Sequence, residues 1–121
     1  MGDYPRLEYR LAGGVLVVRP LLKALGPWDG ADAPPAEVAE FGDQLRQLMG
    51  AEGGPLLLDL SGYGSARNWA WLAPLARECA GQGRPLAVWV QPAVAEQLAV
   101  AKLDRLVPVR TSFAEAMAAL G

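Results

Sequence analysis

Asp59, Ser61, Ser65 and the run Arg67-Asn68-Trp69-Ala70-Trp71 are the residues whose types and spacing bear most directly on chemistry in this chain. All follow or close the apolar run Pro55–Leu60. Asp59 sits near the C-terminal end of that run, and in parallel sheets sites gather at such ends. Its simplest role is to accept hydrogen bonds from nearby loop N–H groups. Ser65 is a candidate phosphoacceptor, because a phosphate at a helix N-terminus is favoured by unpaired N–H groups and the dipole. Capping alone, however, accounts for a serine before a helix. Ser61 is a second candidate, although Ser-Gly after a strand is ordinary turn chemistry. Trp and Arg are the types most enriched at binding hot spots. On a helix, positions 69 and 71 lie about 200° apart, so they cannot both face one core stripe. Two readings follow. Either Gly64, Ser65, Arg67, Asn68, Trp69 and Trp71 form a contact surface, or the loop through Trp28 covers the odd tryptophan.

Much other chemistry is closed to this sequence. There is no histidine, which removes the commonest general base, the Ser/His and Cys/His nucleophile pairs and the imidazole metal ligand. Cys79 is the only cysteine, so neither an internal disulfide nor a thiolate metal cluster can be built, and it reads as a small buried apolar residue. Gly62 and Gly64 suggest a phosphate loop, but Ser-Gly-Tyr-Gly-Ser lacks the P-loop lysine and the third glycine of a dinucleotide fingerprint. Glu37 and Glu40 fall on a solvated helix face with nothing to place them near a sugar or metal. The expectation is a protein that is not an enzyme, with no cofactor and no metal. The formal net charge is −2 with no block of like charge, which disfavours nucleic acid and anionic membrane surfaces as partners. The first ten residues carry Asp3 and Glu8 and do not read as a signal peptide, and no apolar run is long enough for membrane insertion. A cytoplasmic location is expected.

The elements that must position these residues follow from periodicity. The chain has 121 residues, 52% hydrophobic and 20% charged, which suits one globular domain. Leu7–Leu11 alternates apolar and polar, Ala12-Gly-Gly14 is a turn and Val15–Val18 a second strand, together a β-hairpin. Gly26–Pro35 is a loop by its prolines, glycines and aspartates. After it, Val38, Phe41, Leu45 and Leu48 share one helical face as far as Gly50. Pro55–Leu60 reads as a central strand covered on both faces. A helix is predicted over about 68–80, in which Pro74 marks either a kink or the true first turn. Leu86–Val90 is a buried strand, Pro92 starts a helix with Val94, Leu98 and Ala101 on one face, and Leu106–Val109 is a short edge strand. Ser112 and Glu115 form a capping box for a last helix carrying Phe113, Met117 and Leu120. The order is ββαβαβαβα: an α/β fold with an N-terminal β-hairpin and then a largely parallel, mixed sheet with helices packed on it.

Three stretches carry a family resemblance. PLLLDLSGYG (55–64), GQGRPLAVWVQPAVAEQLAVAKLDRLVPV (81–109) and RTSFAEAMAAL (110–120) together resemble a STAS domain, the fold of anti-sigma factor antagonists and of the cytoplasmic tails of sulfate transporters. The likeness covers roughly the last 65 residues well, and the first hairpin and helix in pattern only. It implies a single STAS-like domain that binds a protein partner: a kinase-like anti-sigma factor or a larger scaffold. In phosphorylatable members the turn after the central strand resembles Asp-Ser-Ser-Gly, and a partner kinase modifies its first serine. This sequence departs there. Aligned from the strand, Arg67 and Asn68 take the Asp-Ser positions; aligned back from Gly83, Ser65 and Ala66 do. Neither alignment puts a hydroxyl on the modified position, so a module without the serine switch is expected. The second departure is the long Gly26–Pro35 loop, where the family has a short Gly-x-Leu-Asp segment. The alternative reading is a small-molecule or lipid-binding STAS-like domain with the Trp28 loop over an apolar pocket.

Overall fold

The computed structural model describes residues 4–21, 35–62 and 71–120, with backbone alone for 35–38. Its elements are β1 (Leu7–Ala12), β2 (Val15–Pro20), α1 (Pro35–Ala51), β3 (Leu56–Asp59), α2 (Leu72–Gly81), β4 (Leu86–Trp89), α3 (Pro92–Val100), a 3₁₀ turn (Leu103–Arg105), β5 (Val109–Arg110) and α4 (Phe113–Ala119). The order of elements expected from periodicity is the order found. The five strands form one sheet in sequence order, β1-β2-β3-β4-β5. β1 and β2 are antiparallel, and every later neighbour pair is parallel.

The hairpin is set by its turn. Gly13 and Gly14 both have positive φ, 56° and 82°, as a two-residue hairpin loop matching the strand twist requires. Ala12 is therefore placed opposite Val15, and each later pair follows down to Leu7 opposite Pro20.

Each parallel strand is added on the same side of the one before it, so right-handed crossovers put α1, α2 and α3 on one face of the sheet. There Leu16, Val18, Leu56, Leu58, Val88 and Val90 meet Phe41, Leu45 and Leu48 of α1, Leu72, Leu75 and Cys79 of α2, and Val94 and Leu98 of α3. α4 follows the last strand and folds onto the reverse face, where Ala116, Phe113, Met117 and Leu120 cover Val15, Val17, Leu57 and part of Trp89. All four residues of β3 are buried, as a strand covered on both sides must be.

Several local expectations change. Pro74 is the third residue of α2 and lies in its first turn, where its missing N–H has no intrahelical acceptor to lose. The stretch 68–70 predicted to begin this helix lies outside the described residues. Ala101 is exposed beyond the end of α3 and adds nothing to the core. The last strand is Val109–Arg110 rather than Leu106–Val109. Lys102, in the left-handed region at φ 62°, turns the chain into the 3₁₀ segment, and Leu106 N–H closes that segment on Leu103 O. Pro108 contributes only its carbonyl, which accepts from Val88 N–H at 2.9 Å, so the edge position predicted from that proline is observed. The Gly26–Pro35 loop lies outside the described residues except for Pro35, the first residue of α1.

Candidate functional site

Among the described residues, the reverse face of the sheet is roofed in part by the seven residues of α4. Near the C-terminal ends of the parallel strands it carries a row of side chains from all five strands. Glu8 is opposite Arg19, Arg19 ion-pairs with Asp59, Asp59 is opposite Trp89, and Trp89 is opposite Arg110. Arg10, two pairs further toward the hairpin turn, places its guanidinium 5.3 Å from the centre of the Phe113 ring. Phe113 in turn meets Trp89 edge-on at 5.6 Å. Glu8, Tyr9, Arg10, Val17, Arg19 and Asp59 line a shallow cavity of about 260 Å³ here.

Asp59 organises the centre of this row. It is 4% exposed, and such a buried carboxylate is tolerated only when its oxygens are satisfied. Oδ2 accepts from Arg19 Nη2 at 3.1 Å. Oδ1 accepts from the Ser61 backbone N–H at 3.0 Å and from the Ser61 hydroxyl at 2.6 Å. Gln91, just before α3, donates Nε2 to Ser61 O at 2.8 Å. The first step of the post-β3 turn is therefore tied both to the sheet and to the neighbouring strand–helix connection.

At the far end of that turn, Trp71 is half-buried and meets Phe41 of α1 edge-on at 5.5 Å. It lines an apolar groove of about 250 Å³ between α1 and α2, with Phe41, Leu45, Pro74 and Leu75. Arg46 of α1, bonded through Nε to Glu78 Oε1 at 3.3 Å, forms the polar rim.

Of the residues picked from sequence, Asp59, Ser61 and Trp71 are described, on either side of the turn. Gly64, Ser65, Arg67, Asn68 and Trp69 lie outside the described residues, as does Trp28. Ser61, a candidate phosphoacceptor, has its hydroxyl directed at the Asp59 carboxylate. Asp59 accepts the loop hydrogen bonds expected of it. Cys79 is buried on α2 as expected, and burial pushes its thiol up, with the Arg84 cation acting against this and Glu78 adding to it. Arg19 and Gln91 were not picked out from sequence. Arg19 lies 40 residues from Asp59, and only the pairing of β2 with β3 reveals the contact.

A protein named TM1081, solved by NMR, superposes with a TM-score of 0.71, covering 98% of this chain and 88% of that one at 20% sequence identity. At that identity the likeness shows the fold, α/β with one mixed sheet. No family model matches the sequence. No curated protein matches it either.

Proposed function

We propose that this chain is a STAS-like protein-interaction module, akin to anti-sigma factor antagonists, that docks the turn after β3 onto a protein partner without a serine switch. The observation that supports this most directly is the anchoring of the turn on both sides. Asp59 and Gln91 hold Ser61, and Phe41 packs against Trp71. A surface held at its ends loses less conformational freedom on binding and keeps more of its contact energy as affinity. The partner is a kinase-like anti-sigma factor or a larger scaffold, as the resemblance implies, and no bond is made or broken at the turn.

The test begins with capture of partners by the immobilised protein from the native host, followed by binding of the purified partner to variants. Arg67→Ala and Trp69→Ala should each weaken binding while leaving the unfolding midpoint in place. Unchanged binding by both would remove this surface from the reading. Stoichiometric phosphate on Ser61 or Ser65 after incubation with the captured kinase and ATP would overturn the absence of a switch.

A second reading, small-molecule or lipid binding, is favoured by the groove between α1 and α2. Its volume of about 250 Å³ falls below the roughly 300–1,000 Å³ of ordinary ligand pockets, which weighs toward the protein partner. Native mass spectrometry of the purified chain separates the two, because a retained ligand would favour the groove.

A further inference from the structure

β1 is one of the two outer strands of the sheet, and its sequence is complementary to itself. Hydrogen-bond directions along it follow from two observations. Leu16 N–H donates to Pro55 O, so the backbone of Leu16 faces β3 and those of Val15, Val17 and Arg19 face β1. Their partners Ala12, Arg10 and Glu8 therefore direct their N–H and C=O groups inward, to β2. The alternate residues Leu7, Tyr9 and Leu11 direct theirs outward. Leu7 N–H is taken by Tyr4 O at 3.2 Å. Among the described residues no strand pairs with the outward groups of Tyr9 and Leu11. The side chains of these two residues are partly exposed, at 40% and 57%, with the Tyr9 ring meeting Tyr4 edge-on at 5.9 Å.

We propose that this edge binds a second copy of the chain, β1 pairing antiparallel with β1 of its twin about a two-fold axis at Tyr9. In that register Tyr9 faces its own copy in a hydrogen-bonded pair. Leu7 faces Leu11, with Leu11 N–H directed at Leu7 O. Glu8 faces Arg10 in the non-hydrogen-bonded pairs on either side of the axis, where opposing side chains approach most closely. Both charges lie on the reverse face, where Phe113 already holds the Arg10 guanidinium. Across the join the alternation of Asp59, Arg19 and Glu8 continues into Arg10 of the copy, directly opposite Glu8. Because only Leu7, Tyr9 and Leu11 direct their backbone groups outward, the neighbouring registers lie two residues away, and these set Arg10 against Arg10 or Glu8 against Glu8. The five matched residues span about 17 Å, a short isologous contact of the weak, concentration-dependent kind. The inference is independent of the partner reading, which concerns the turn after β3.

Sedimentation of the wild-type chain over a concentration series should show a reversible monomer–dimer equilibrium. Amide exchange at Tyr9 and Leu11 should slow as concentration rises. Glu8→Arg and Arg10→Glu each create two like-charge pairs, and each should weaken self-association about tenfold or more. An equimolar mixture of the two variants should form a heterodimer, since all four charges then oppose complementary ones. Misfolding of either variant would not produce that recovery. A wild type that stays monomeric at its highest soluble concentration would overturn the proposal. So would a dimer whose Tyr9 and Leu11 amides exchange at the same rate at all concentrations.

Discussion

The Ser61 hydroxyl and backbone N–H converge on one oxygen of Asp59, at 2.6 and 3.0 Å, while Arg19 takes the other. A buried carboxylate with three donors holds strand end and turn together, so its removal leaves those donors without a partner. Asp59→Ala should cost about 1–3 kcal/mol, more than Ser61→Ala at about 1 kcal/mol, in urea unfolding. Ser61→Glu should cost more than Ser61→Ala, because it sets a second carboxylate beside Asp59. Equal stability of the alanine and glutamate variants would show that the Asp59 charge is not felt at position 61.

Arg84 joins two elements that are distant in sequence. Its guanidinium donates to Met49 O at 2.8 Å and Glu52 O at 3.1 Å, capping carbonyls at the C-terminal end of α1 from the connection before β4. Arg84→Ala should destabilise the fold by about 1–3 kcal/mol, with Arg84→Lys intermediate because an ammonium lacks the forked donors. Amide exchange should rise in the last turn of α1. Loss of stability without that local change would place the effect elsewhere.

Cys79 gives a pH signature. Burial raises the folded thiol pKa, so the thiol stays neutral in the folded state while the unfolded chain ionises at about 8.5. The stabilisation from the buried neutral thiol is complete below that pH and is lost as pH rises through the folded value. Compared with Cys79→Ala, the wild type should keep a constant advantage up to about pH 8 and lose part of it by about pH 10, read as urea midpoints of both proteins. An advantage that does not vary with pH would mean the thiol is more solvated than its surroundings suggest.

The strands and helices were legible because their signals are local. The unbroken Leu56–Leu58 run, the paired glycines at 13 and 14 and the capping pair Ser112 and Glu115 each report on a few neighbouring residues. In the capping pair, Glu115 N–H reaches Ser112 Oγ at 3.1 Å, while the Glu115 carboxylate accepts from the Ser112 hydroxyl instead of the backbone N–H of the usual box. The start of β5 is not legible because Val107 looks like a strand residue; it is buried to seal the core beside the 3₁₀ turn. The site was half legible. Asp59 and Ser61 sit two residues apart and could be linked on the page, whereas Arg19, Gln91 and Arg84 enter through strand pairing and crossover packing, which local pattern does not encode.

α4 is the sole helix on the reverse side of the sheet among the described residues, and it comes after every strand in the chain. During synthesis, then, the platform formed by Val15, Val17, Leu57 and Trp89 is made first and its roof last, leaving it open to solvent while the other three helices can already be in place. A nascent chain stalled before Phe113 would present a sticky plank to its neighbours in the cell.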